Sequence, residues 1–174
     1  MAILGREQRQ PEPKGKRNTA THDLLIKRAA AWVARKKGCS IVLTGINPTG
    51  VAESPDVIGF RICPSENYPV EYPRSVVVEA KASRADFLRD NKKAHRQPGA
   101  PSMGQLRYYI APKGLLSAAD LPPHFGLLEL RGERVFLIKE ASPHIDAELK
   151  ESLHNELITV VSAWNSSFYK GTKT

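Results

Sequence analysis

Ser75-Val76-Val77-Val78-Glu79-Ala80-Lys81 is a valine run that ends in two charges. Valine is β-branched and suits a pleated, buried surface, so the stretch predicts a strand over 75–81. Residues two apart in a strand share a face. Glu79 and Lys81 therefore point the same way, with Val77 behind them, while Val76, Val78 and Ala80 point the other way. A strand apolar on both faces is one buried on both sides. This one would deliver a carboxylate and an ammonium at its tip.

Upstream, 56–62 (Asp-Val-Ile-Gly-Phe-Arg-Ile) reads as a second strand, and Pro64, Pro69 and Pro73 make the connection a loop. If the two strands are antiparallel neighbours, the loop centre pairs Ile62 with Ser75. The same register then pairs Asp56 with Lys81. Asp56, Glu79 and Lys81 converge at one end of two adjoining strands.

Further out, Thr19 or Thr21 can cap a helix that runs to about Lys37 and stops at Gly38. Its apolar stripe is Leu25, Ala29, Trp32 and Val33. Residues 40–46 read as a strand. Ser83 opens a helix to about Lys93, with Asp86 three residues on in capping-box fashion. Strands are expected at 106–111, 125–130 and 134–139. Ser142-Pro143 starts a final helix at about 143–165, striped by Ile145, Leu149, Leu153, Leu157, Val161 and Trp164. Residues 1–18, polar and basic with Pro11 and Pro13, read as a disordered arm. The rest, 19–174, reads as one α/β domain with a mixed central sheet flanked by helices.

The whole chain fits that reading. Its 174 residues are a one-domain length, and 41% hydrophobic with 25% charged residues is ordinary for a globular protein. No apolar run approaches the roughly 20 residues that span a bilayer, and the N-terminus lacks a signal-peptide core. Cys39 and Cys63 have no metal or redox spacing and read as small buried hydrophobes in a reducing cytoplasm. The net charge is +8, unevenly spread: +7 over 1–37, −3 over 38–80, +6 over 81–113 and −2 over 114–174. Two basic stretches flank an acidic middle. Such concentration suits a polyanion, because each neutralised phosphate releases a counterion; a solvated basic surface is the plainer alternative.

Two close carboxylates repel, and burial raises the cost of ionising both. A divalent cation removes that penalty. Oxygen-only donors favour Mg²⁺ or Mn²⁺ over zinc. Such an ion can polarise a phosphate and activate water, and a nearby lysine can orient that water or neutralise developing charge. Two acids and a lysine beside a basic surface point to phosphodiester hydrolysis. Alone, Pro-Asp and Glu-x-Lys are common by chance, and Glu79 and Lys81 would equally suit a surface cross-strand pair. Their context, strand tip against strand start with basic helices on both sides, carries the chemical reading.

The order helix, strand, Glu53-Ser54-Pro55-Asp56, strand ending Glu79-Ala80-Lys81, helix resembles the restriction-endonuclease-like, PD-(D/E)XK nuclease superfamily. The run Val77-Val78-Glu79-Ala80-Lys81-Ala82-Ser83-Arg84-Ala85-Asp86-Phe87-Leu88-Arg89-Asp90 is similar to the MmcB-like DNA-repair group and related small phage or prophage proteins. Arg107-Tyr108-Tyr109-Ile110-Ala111-Pro112 and Gly126-Leu127-Leu128-Glu129 fit the same pattern. The resemblance spans about residues 20 to 140. It implies a restriction-endonuclease-like core, with Asp56 and Glu79 as metal ligands and Lys81 as the catalytic lysine. The implied activity is that of a Mg²⁺-dependent deoxyribonuclease, an endonuclease in a bacterial or phage-infected cytoplasm.

The chain departs from that pattern in places. Many superfamily members add a glutamate from the first helix, where this chain has only Asp23 as an acid. Glu53 stands either as the extra metal ligand or as a loop charge. Gln105 and Tyr109 match a Gln-x-x-x-Tyr spacing found on a helix in some relatives, whereas here the stretch reads as a strand. Arg84, Arg89, Lys92, Lys93 and Arg96 would grip phosphates, or form a solvated helix face. The histidines lack ligand spacing. The alternative to an enzyme is a weak or inactive nuclease-fold module that binds DNA. A homodimer stays open.

Overall fold

A computed structural model describes residues 19–46, 53–62, 75–90, 92–93, 103–143 and 156–162. Helix α1 (Thr19–Lys36) leads into strands β1 (Ile41–Thr44), β2 (Val57–Phe60) and β3 (Ser75–Ala80). Helix α2 (Arg84–Asp90) follows, then β4 (Leu106–Pro112), a 3-10 turn at Ala118–Asp120, β5 (Phe125–Arg131) and β6 (Arg134–Lys139). The strands form one six-stranded sheet in sequence order. β1, β2 and β3 run as an antiparallel meander, β3, β4 and β5 are parallel, and β6 returns antiparallel. The fold is thus α/β, with a mixed sheet flanked by helices. The arm at 1–18 and most of the helix expected over 143–165 lie outside the described residues.

The strand β3 sits third in the sheet and is buried along its whole length. Its two faces feed two cores. Val76, Val78 and Ala80 join Tyr108, Ile110 and Leu128 beneath Leu25, Ala29, Trp32 and Val33 of α1. Val77 faces the other way, with Ile58, Phe60, Met103 and Val160. On that second face Phe87 of α2 packs with Tyr109, Phe125 and Leu127. The sheet is therefore covered on both sides, as parallel strands require. Gly126 permits a close crossing: a Cβ there would stand 2.3 Å from the Tyr108 ring and 2.8 Å from the backbone of Ala141.

The antiparallel register differs from the expected one by two residues. Phe60, not Ile62, pairs with Ser75, and Val57 pairs with Val78. Arg61 and Ile62 leave the ladder because their groups bind elsewhere. The Arg61 guanidinium donates to the Lys37 carbonyl (Nε at 3.1 Å), and the Ile62 amide donates to Ser40 Oγ at 3.4 Å. A shift of two preserves the faces. It moves the residue across from Asp56, one step beyond the ladder, from Lys81 to Glu79.

Residues 156–162 are helical and close the second face through Leu157 and Val160. Val161, expected on the apolar stripe, is exposed, and Val160 takes its place in the core. Glu156 anchors this segment: its carboxylate accepts from the Gly104 amide at 2.6 Å and from Ser75 Oγ at 3.0 Å. Burial pushes that carboxyl up to about 7 from an ordinary 4.5, against the opposing pull of those hydrogen bonds, and the nearby charge of Glu53 adds to the rise. An acid whose pKa is raised by folding favours the fold most below its unfolded value, and that contribution disappears as pH climbs through the folded value. Glu156→Gln keeps an acceptor for Gly104 but removes the charge. The variant should gain on the wild type between pH 4.5 and 7 and stay level above, by an amount on the order of 3 kcal/mol. Urea denaturation across that range measures it.

Candidate active site

The tip of β3 is held by the parallel ladder. The Lys81 amide donates to the Ile110 carbonyl at 2.9 Å, so the strand stays paired up to the lysine. Beside it, Asp56 opens β2. Its Oδ2 accepts from the amide of Ala80 at 2.8 Å, which seats the carboxylate against the peptide next to Glu79. The expected meeting of Asp56, Glu79 and Lys81 at one strand end is therefore what the backbone produces. Glu79 and Lys81 are each 3% exposed, and the Asp56 side chain is 23% exposed. Asp56 is the member of the three that meets solvent.

The Lys81 ammonium lies between two carboxylates, 3.3 Å from Glu79 Oε2 and 3.2 Å from Asp90 Oδ1. The Tyr109 ring centroid is 5.6 Å away, within cation–π range. Asp90 also takes Lys93 Nζ at 2.8 Å and the Tyr109 hydroxyl at 2.8 Å. On the open side, His22 Nε2 of α1 stands 3.6 Å from Asp56 Oδ2. The sequence reading missed Asp90, Tyr109 and His22 as members of the site. Asp90 had a legible signal: it falls three residues after Phe87, on the apolar side of α2, where an unpaired acid would be costly. Tyr109 entered the sequence reading only through its Gln-x-x-x-Tyr spacing with Gln105, and His22 carried no signal, since strand pairing and helix crossing bring them in.

Glu53 is engaged elsewhere. It is fully buried, and both its oxygens receive the Arg107 guanidinium, Oε2 from Nη1 at 3.1 Å. Oε2 also accepts from the Met103 amide at 2.7 Å. Glu53 lies outside the helices and strands, and its charge is taken up by a buried arginine. Arg107 sits across from Val77 in the ladder and Tyr109 across from Glu79, so this pair lies one alternate position behind Glu79.

The basic residues of α2 divide. Arg84 is bound to Asp120 at 2.5 Å. Arg89, Lys92 and Lys93 are exposed, although Lys93 reaches Asp90 and Arg89 lies 3.5 Å from Asp86. Arg96 lies outside the described residues. Ser83 caps α2 by accepting from the Asp86 amide at 3.2 Å, the half of the capping box that forms.

Asp56 and Glu79 offer oxygen donors from neighbouring strand ends, a set suited to Mg²⁺ or Mn²⁺. Among the described residues, no group of three or more His, Cys, Asp or Glu side chains could hold a metal ion. Asp56 and Glu79 alone would leave most positions of such an ion to water and phosphate oxygens.

No family model and no curated protein sequence matches this chain. Among solved structures, the chain is similar to a protein of unknown function from Silicibacter pomeroyi. The two are 18% identical with a TM-score of 0.59, over 85% of this chain and 88% of that one. The α/β architecture is shared with it. No described helix is long and apolar enough to cross a membrane.

The carboxylates of Glu53 and Asp56 should respond differently to mutation. Glu53→Ala strands the Arg107 guanidinium away from water and should cost about 3–5 kcal/mol in urea denaturation. Asp56→Ala loses one hydrogen bond at a part-exposed edge and should cost about 1 kcal/mol.

Proposed function

We propose that this protein is a metal-dependent nuclease that hydrolyses phosphodiester bonds in DNA. The observation that carries the reading is the seating of Asp56 against the peptide beside Glu79, with the Lys81 ammonium 3.3 Å from Glu79 on the same strand tip. Asp56 and Glu79 would hold Mg²⁺ or Mn²⁺. When bound, that ion would polarise the scissile phosphate and acidify a water. Lys81 would supply a fixed positive charge where negative charge develops, inside a site that largely excludes bulk water. His22, 3.6 Å from Asp56 Oδ2, would help to orient that carboxylate from the open side.

The substrate class rests on charge. The +6 stretch 81–113 places Arg89, Lys92 and Lys93 in solvent just past the strand tip. Contacts from such residues go to phosphates and carry no base information, so cleavage would be tolerant of sequence and steeply salt-dependent. The resemblance to the PD-(D/E)XK superfamily, and to its MmcB-like DNA-repair group, agrees with this chemistry and supplies the endonuclease expectation.

A second reading, a DNA-binding module with little turnover, is favoured by one feature: Glu79 and Lys81 are almost fully enclosed and paired with each other. Nicking of supercoiled plasmid in Mg²⁺ or Mn²⁺ separates the two. The wild type should nick, EDTA should stop it, and Lys81→Ala should lower the rate about 100-fold or more. Equal background from wild type and Lys81→Ala, with DNA still retained in a gel shift, would leave the binding module standing.

A further inference from the structure

The carboxylate of Asp90 is 1% exposed, yet it sits on a two-turn surface helix. Three donor groups approach it. Oδ1 faces Lys81 Nζ at 3.2 Å and Lys93 Nζ at 2.8 Å, and Oδ2 accepts from the Tyr109 hydroxyl at 2.8 Å. The Tyr109 ring is itself fixed, stacked on Phe125 at 4.8 Å and edge-on to Phe87 at 5.2 Å. Phe87 belongs to the same helix as Asp90, so one helix brings both the carboxylate and the ring that fixes its partner. A carboxylate held from two sides cannot rotate freely.

We propose that Asp90 is a positioning residue, which holds the Lys81 ammonium at the strand tip through its own orientation by Tyr109. This rests on the nuclease reading of Lys81. Lysine is a flexible stem with a point charge, and one contact does not fix it. Glu79 would be the weaker anchor if it held a metal, because at least one of its oxygens would then turn to the ion. Asp90 contacts Lys81 from α2, outside the pair of strands that carries Asp56 and Glu79. It keeps the ammonium in place whichever way Glu79 is engaged. Lys93, half exposed, shares Asp90 Oδ1 with Lys81.

The test is a double-mutant cycle on full-length protein, with Mg²⁺ and supercoiled plasmid. Asp90→Asn should lower kcat by about 10- to 100-fold with KM for DNA little changed. In a Lys81→Ala background it should add nothing. Tyr109→Phe, which keeps the ring and its packing, should lower kcat by about 2- to 10-fold and show the same lack of additivity; it serves if Asp90→Asn fails to fold. A merely structural Asp90 would give losses that multiply with Lys81→Ala. A second readout needs no turnover: the ¹⁵N signal of the Lys81 ammonium, protected from exchange in the wild type, should be lost in Asp90→Asn or weakened in Tyr109→Phe. If wild type and Lys81→Ala nick alike, the nuclease reading fails and the ammonium signal alone decides positioning. If they differ but Asp90→Asn and Tyr109→Phe match wild type in rate, or leave the ammonium signal unchanged, only the positioning proposal falls.

Discussion

An ammonium removed from water is tolerable only where carboxylates meet it, and Lys81 is met by Glu79 and Asp90. That requirement ties three elements together. β3 carries Lys81 and Glu79, α2 brings Asp90, and β4 brings Tyr109, whose hydroxyl satisfies Asp90. Move α2 away and two buried charges lose their partner at once. The short helix is thus fixed less by its own propensity, weak at this length, than by one apolar side chain and one acid. Phe87 enters the core of the second face, and Asp90 follows it one turn later.

The same strand explains why the charges sit at its end and nowhere else. From Ser75 to Ala80 both faces of β3 are buried, under α1 on one side and under Ile58, Met103 and Val160 on the other. No charge could enter the middle of that run without stranding itself in apolar surroundings. Parallel pairing with β4 continues to the Lys81 amide, so the backbone stays satisfied while the side chains turn polar. The carboxyl end of a parallel strand is also where α/β sheets commonly open to ligand.

The strands and the first helix were legible because periodicity is local. The valine run marked β3, and Leu25, Ala29, Trp32 and Val33 marked the buried face of α1. The meeting of Asp56 with the tip of β3 was also legible, although the register was not. The arithmetic of a symmetric loop took no account of Arg61, whose side chain turns to the Lys37 carbonyl and ends β2 early. Because the slip was an even number of residues, every side chain kept its face. What sequence could not supply was partnership across distance. Glu53 meets Arg107 and Asp90 meets Tyr109 because parallel β4 lies beside β3, and that crossover leaves no trace in local spacing.

Two acid–base pairs lie on one face of the sheet, and their chemistry differs in kind. Arginine's planar fork closes on Glu53 with both nitrogens, and the Met103 amide adds a third donor. Such a carboxylate is committed, and its pair serves to fill a polar gap behind the strand tip. Lysine offers a point charge instead, and Lys81 divides it between Glu79 and Asp90. The Lys81 contact of Glu79 is therefore one that can be traded. An incoming cation could take its place on Glu79 while Asp90 keeps the ammonium compensated, whereas at Glu53 the same exchange would strand a guanidinium. The rigid pair lies one step behind on the same face, and the exchangeable pair lies at the tip, beside the part-exposed Asp56. That ordering, closed behind and adaptable in front, is what the proposed ion site would require.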